Sequence, residues 1–234
     1  MPSELASSPL FGVALTVLVY CLAQRIYIRF RSILLNPVAV SIGSIIAILL
    51  LADIPYTAYH NGGRMILFLL GPSVVALALP LYRKRREINR NRLPILAGIF
   101  CGAFVSIVSA SGLAWLLGGS SDVVLSLAPK SVTTPIAIGI AEKIGGVPEL
   151  TAAIVVLTGC LGAICGPEFC RLVGIRSPMA IGLAVGTASH GIGTARMLEV
   201  DRLSGAVAGL AIGLNGLVTA FLLPLLFSLY KYFI

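Results

Sequence analysis

Residues 129–146 read PKSVTTPIAIGIAEKIGG, and the rest of the chain is organised around them. Long apolar runs flank the stretch, yet it carries Lys130, Ser131, Thr133, Thr134 and two prolines, Pro129 and Pro135. A lysine at membrane depth is costly unless a cavity, a partner or an anion compensates it. Thr134 precedes Pro135 and is pushed out of the α region, and Pro135 has no N–H to donate. Lys130–Pro135 therefore reads as a break in a membrane helix, with unwound backbone beside hydroxyls and one cation. Such backbone persists in a membrane only where protein buries it or where it lines an aqueous cavity. Broken helices of this kind build the midplane sites of secondary transporters. The plainer alternative is a lysine snorkelling at a helix end beside a proline kink.

Composition supports the membrane setting. Of 234 residues, 58% are hydrophobic and 11% charged, with mean hydropathy +1.01. Apolar runs of spanning length recur, so the fold class is an all-α polytopic membrane protein. The net charge of +8 is no nucleic-acid signal, because the basic residues gather in loops beside the apolar runs. The cysteines Cys21, Cys101, Cys160, Cys165 and Cys170 form no CxxC pair and read as packing residues, with no metal site, cofactor or disulfide framework implied. Glu4 stands where a basic leader would begin, so no removable signal peptide is expected.

About eight membrane segments are expected, at 10–24, 33–51, 65–82, 93–117, 123–140, 150–170, 179–197 and 203–229. The links at 53–63, carrying His60 and Asn61–Gly62–Gly63, and at 118–122 read as polar loops. The most basic loop is RKRREINRNR, residues 83–92. With it and loop 25–32 in the cytoplasm, both termini and the links 53–63 and 118–122 lie outside, and the links 142–149 and 197–202 inside. Arg171 and Arg176 then fall on the outer side, against the rule.

NPVAVSIGSIIAILL from Asn36 resembles TPIAIGIAEKIGG from Thr134. A Gly-Pro follows each, Gly71–Pro72 and Gly166–Pro167, and then a basic segment. Two inverted three-span repeats, about 8–90 and 92–176, plus a C-terminal helix pair at 178–230, follow from that order. The whole chain is read as one integral membrane domain. Chance likeness between two proline-bearing apolar sequences is the alternative.

A second polar group is GTASHGIGTAR, residues 186–196. Thr187, His190 and Thr194 are spaced three and four apart, hence on one helix face, with Ser189 beside them. Imidazole exchanges protons near neutral pH, so His190 is the candidate proton-coupling residue. The alternative is a buried histidine satisfied by a carbonyl, with Gly191 and Gly193 permitting close packing. Glu168 and Arg171 read as a pair near a helix end, and Asn215 as a residue for hydrogen bonding between helices. The glycine steps Gly98/Gly102, Gly162/Gly166, Gly182/Gly186 and Gly205/Gly209/Gly213 read as helix-packing faces, among them an interface for a homo-oligomer. No HExxH or GxSxG motif and no paired aspartates occur in the spans, so no enzyme is expected.

PKSVTTPIAIGIAEKIGG, TGCLGAICG and IRSPMAIGLAVGTASHGIGTAR together resemble the LrgB/CidB family of bacterial membrane proteins, a domain shared with the plastidal glycolate/glycerate transporter. The resemblance runs over roughly residues 8–230. GPEFCR, residues 166–171, departs from the more apolar pattern of the family. The family implies a multi-pass protein of the bacterial inner (plasma) membrane, working beside a small holin-like LrgA/CidA-type subunit. It also implies either transport of small carboxylates or control of murein hydrolases and lysis. Carried over by motif are Lys130, Ser131, Thr133, Thr134, Pro135, His190, Gly191, Gly193 and Thr194. The expected function is secondary transport of a small monocarboxylate. Lys130, Ser131, Thr133, Thr134, Thr187, Ser189, His190 and Thr194 form the site, and Pro135, Gly191 and Gly193 the helix breaks.

Overall fold

A computed structural model describes residues 8–30 and 35–233. Glu4, and residues 31–34 of the expected loop 25–32 and span 33–51, lie outside them. The described residues form helices and connections, with no strand. The chain divides into two compact units, Met1–Leu77 and Ala78–Ile234. Among the described residues, five helical stretches are long and apolar enough to cross a membrane: Pro9–Phe30, Tyr56–Arg83, Arg92–Leu116, Pro148–Leu172 and Arg202–Ser228. Pro37–Leu51 is a shorter apolar helix.

The first unit is built on α1 (Pro9–Phe30), α2 (Pro37–Leu51) and α3 (Tyr56–Phe68). Asn36 caps α2 by accepting from the N–H groups of Val38 and Ala39, and Pro37 occupies the first helical position, where its missing N–H costs nothing. The expected loop 53–63 is mostly helix, because α3 takes in His60, Asn61, Gly62 and Gly63. Gly62 is spent on contact: a Cβ there would come within 2.7 Å of the Gly12 Cα on α1. His60 is one turn from Tyr56, with 3.3 Å between its Nδ1 and the phenol oxygen. The break near Gly71–Pro72 falls at Leu69, and both residues sit in the first turn of α4 (Leu70–Arg83).

In the second unit, short α5 (Arg85–Arg90) leads into α6 (Arg92–Leu116), and α9 (Pro148–Leu172) has the same length of 25 residues. Pro167 is buried inside α9 without ending it. Between α6 and α9 the expected fifth span is not one helix but a hairpin of α7 (Ser121–Leu127), a turn at 128–133, and α8 (Thr134–Ile144). The chain after α8 returns to the last turn of α7: the Val147 N–H donates to Ser126 Oγ at 2.8 Å, and Thr151 Oγ1 donates to the Ser126 carbonyl at 3.1 Å. Gly145, at φ +93°, ends α8 in the left-handed region that glycine tolerates.

The expected seventh span is also a hairpin. Helix α10 (Pro178–Val200) reverses at His190, whose φ and ψ are 43° and −133°. A Cβ on Gly193 would lie 3.3 Å from the Val185 carbonyl oxygen, whereas eight residues of straight helix rise about 12 Å. The return arm brings Met197 beside Ile181, Val185 and Ala208. Helix α11 (Arg202–Phe233) then runs parallel to the first arm, with the Ser204 hydroxyl donating to the Pro178 carbonyl at 2.8 Å and Ala208 against Gly186.

Two ends of this unit follow from the contacts. Ile88, Ile95, Met179, Leu203 and Val207 share one cluster, and Ile107, Ala128, Ile144 and Leu223 another. The first hairpin opens toward the second of these ends, and the second hairpin toward the first. The link 142–149, with Glu142 and Lys143, is therefore on the end away from 83–92, not with it. Arg171 and Arg176 join the 83–92 end, and the exception to the charge rule disappears, because a hairpin replaces a crossing. Asymmetry of basic loops orients membrane proteins, and the arginine-rich segment 83–92, Arg171 and Arg176 now share one end.

The inverted pair on view is α6 with the first hairpin, 92–144, and α9 with the second, 148–200. It lies wholly within the second unit, whereas the expected first repeat, 8–90, runs across the unit boundary at Leu77.

Candidate functional site

The turn of the first hairpin reaches the middle of α6. Ser131 Oγ lies 2.8 Å from Ser106 Oγ, and the Lys130 ammonium donates to both hydroxyls, at 3.1 Å to Ser131 and 3.3 Å to Ser106. Among the described residues no carboxylate pairs with Lys130. Three residues on, α8 begins at Thr134, with Pro135 in its first turn and no side-chain cap from Thr133. The leading N–H groups of a helix have no partner within it, and they carry the positive end of its dipole. Lys130, the hydroxyls of Thr133 and Thr134, and this open helix start thus gather on one turn.

The second tip meets the first. Asn215 on α11 is 1% exposed, and its Nδ2 donates to the Ser131 carbonyl and to the Thr187 carbonyl, each at 3.0 Å. One carboxamide thereby holds a backbone oxygen from each hairpin. Val155 on α9 makes a second bridge. Its side chain packs with Val132 and Ala137 of the first hairpin, and its carbonyl accepts from His190 Nε2 at 2.9 Å. Thr187 Oγ1 and Asn215 Oδ1 are buried and have no hydrogen-bond partner among the described residues, an uncommon state for buried polar atoms.

The other expected site residues have structural partners. Ser189 is buried against Gly162, which stands as far into α9 as Ser106 does into α6. Thr194 Oγ1 donates to the His190 carbonyl at 2.8 Å. Thr187 and Thr194 do not share a helix face, because the chain reverses between them. The break falls on His190 itself, with Gly191 and Gly193 in the return arm. A bulky residue at positive φ costs on the order of 1–3 kcal/mol. The imidazole bond to Val155 holds it there, and Gly159 makes room: a Cβ would lie 2.7 Å from His190 Cε1. Glu168 does not pair with Arg171; its Oε2 is buried and unpartnered.

Ser106 escaped the sequence reading. Its signal is the series Gly98, Gly102, Ser106 on one face of α6, where Gly98 faces Leu183, Gly102 faces Thr187 and Ser106 faces the first tip. Gly98/Gly102, Gly162/Gly166 and Gly182/Gly186 are thus consumed inside the fold. Gly162→Ala places a methyl on the Ser189 hydroxyl, so we expect a loss of about 1–3 kcal/mol in stability. Gly213→Ala on α11, with open space around it, should leave stability unchanged or slightly raised. Thermal unfolding of the two variants in one detergent checks the contrast.

Long apolar helices enclosing two opposed hairpins that meet tip to tip define a multi-pass membrane protein with a broken-helix centre. The chain belongs to the LrgB-like family, whose model matches residues 16–229. It is 36% identical to YwbG of Bacillus subtilis (strain 168), over 92% of this chain and 95% of that protein. It is 34% identical to the holin-like protein CidB of Staphylococcus aureus (strain Mu50), over 94% and 96%. An Haemophilus influenzae protein is 36% identical over 94% and 95%. No solved structure matches the chain significantly.

Proposed function

We propose that this protein is a secondary carrier of small monocarboxylates such as glycolate, glycerate, lactate or pyruvate. The observation that supports this best is Lys130: a cation on the turn beside the middle of α6, bonded among the described residues to two serine hydroxyls and set beside an uncapped helix start. Helix N-termini attract anions, and an unpaired cation at membrane depth needs one. In this reading Lys130 supplies the countercharge. Thr133, Thr134 and the leading amides of α8 donate to the carboxylate, and Ser131 with Ser106 orients the ammonium. The two hairpins open to opposite ends, as alternating access between inverted repeats requires.

The direct test is ligand stabilisation of the purified protein. Lactate, glycolate or pyruvate should raise the unfolding temperature, by an amount set by the ratio of concentration to Kd, and lactamide, uncharged and nearly isosteric with lactate, should not. Equal effects of acid and amide would remove the countercharge from the account.

His190 is proposed as the proton carrier, on the strength of its place at the second tip and the imidazole titration range. His190→Gln keeps a donor for the Val155 carbonyl but cannot titrate. We expect carboxylate exchange to survive and the response to an imposed pH gradient to vanish. Gradient-driven accumulation by the variant would move the coupling elsewhere.

A second reading is favoured by the name holin-like protein carried by the CidB relatives. There the chain would act beside a small holin-like subunit to control murein hydrolase activity and lysis, and the tips would govern assembly. Saturable flux by the protein alone separates the two readings.

A further inference from the structure

The geometry points to a binding site for the headgroup of an anionic phospholipid at the basic end of the second unit. A cavity of about 330 Å³ is lined by Leu79, Pro80, Arg83, Lys84, Leu198 and Arg202. Lys84 is already engaged by Glu87 at 2.8 Å. Arg83 and Arg202 have no ion pair among the described residues. The nearest acid in sequence to Arg202, Asp201, has its Oδ2 occupied by the Ser204 N–H at 2.8 Å. Two guanidiniums are therefore left to face the cavity, and guanidinium matches phosphate oxygens in paired hydrogen bonds.

The order of the lining residues identifies the source of the phosphate. Leu79 and Pro80 stand one turn before Arg83, on the apolar side of that helix, and Leu198 stands one turn before Arg202. Cations at the rim with apolar walls beneath them fit a phosphodiester and the upper part of its acyl chains. A soluble phosphate would use only the rim. Basic pockets between membrane helices on the face carrying the Lys/Arg excess are where acidic headgroups bind, and this cavity is at the end that carries 83–92, Arg171 and Arg176. The bound lipid would span Leu79–Lys84 and the mouth of the second hairpin at Leu198. This inference does not rest on the transport reading.

The test is binding of labelled phosphatidylglycerol and phosphatidylcholine to the purified, delipidated protein, with Arg83→Gln/Arg202→Gln and Arg176→Gln as variants. Each variant is first confirmed as folded by its elution and unfolding temperature. We expect phosphatidylglycerol to bind at least tenfold tighter than phosphatidylcholine. The double variant should lose roughly tenfold to thirtyfold of that affinity, given the usual worth of each cation near an anionic surface. Arg176→Gln should change it little, and 10 mM inorganic phosphate (an experimental choice of about a hundredfold excess over a typical weak site) should not displace the lipid. Equal binding of both lipids, an equal loss in Arg176→Gln, or displacement by phosphate would overturn the proposal. These outcomes would signify, in turn, apolar adhesion, diffuse surface charge and a soluble-anion site.

Discussion

Lys130→Gln is expected to weaken monocarboxylate binding by about tenfold to a hundredfold, the worth of one charged hydrogen bond in a partly buried site. Glutamine keeps a donor for Ser106 and Ser131, so the turn of the first hairpin should hold while the countercharge goes. Lys143→Gln is the matched control, since Lys143 is an exposed residue in the last turn of α8, far along the helix from its open start. Titration of lactate into each variant, read by the shift in unfolding temperature, separates a lost ligand from a lost fold. An unfolding temperature near that of the parent, with the ligand response gone, is the predicted signature. A normal ligand response in Lys130→Gln would mean that the lysine only snorkels or packs.

Asn215→Ala should be the most damaging change at the junction. It releases the Ser131 and Thr187 carbonyls at once, and both are deep in the bundle. Interhelical hydrogen bonds in membranes contribute about 0.6 kcal/mol on average and up to about 1.7 kcal/mol each. Two such bonds put the loss at about 1–3 kcal/mol. A change of that size is a large part of the net stability of most folded domains. The effect on transport should be larger than the loss of stability alone implies, because the same carboxamide sets the two tips against each other. Asn215→Asp offers the contrast: one oxygen cannot donate to either carbonyl, and a carboxylate near Lys130 competes with an anionic substrate. We expect Asn215→Asp to bind carboxylate more weakly than Asn215→Ala at equal fold, as measured by the same ligand titration. Equal affinities would place Asn215 out of reach of the Lys130 charge.

The sequence made the chemistry of the first tip readable and left its geometry hidden. Thr134–Pro135 announced a helix start, and α8 does begin there. Lysine and hydroxyls in an apolar setting pointed to the turn before it. What could not be read was whether the chain crosses or returns, because 24 residues of apolar hairpin and one membrane span have nearly the same composition and length. Only long-range bonds, Val147 to Ser126 and Thr151 to Ser126, return the chain after α8 to α7. The second hairpin was hidden for another reason. Helical periodicity runs on through GTASHGIGTAR, and the reversal occupies one residue, His190, of a type that seldom takes a positive φ. The charge pattern contained a warning: Arg171 and Arg176 violated the rule under eight crossings and satisfy it with two hairpins.

Asn215 was visible as a polar residue in an apolar helix, but its partners are 84 and 28 residues away in sequence, beyond any local pattern. Ser106 drew no notice because serine is common in membrane helices, where it bonds its own backbone. Here its hydroxyl faces Ser131 and Lys130 instead. The glycine steps read as helix-packing faces, and Gly98/Gly102, Gly162/Gly166 and Gly182/Gly186 do pack against neighbouring segments of the same chain. Gly162 shelters Ser189, Gly159 shelters His190, and Gly186 lies against the backbone of Ala208.

The central claim is that this chain alone moves small carboxylates through the junction of its two tips. The measurement is uptake of labelled glycolate, lactate and pyruvate into liposomes holding only this protein, with an imposed pH gradient. The account predicts saturable uptake that follows the gradient and is lost with Lys130→Gln. Folded protein that gives no saturable flux alone, and gains none from any gradient, would contradict it and leave the partner-dependent, holin-like reading in its place.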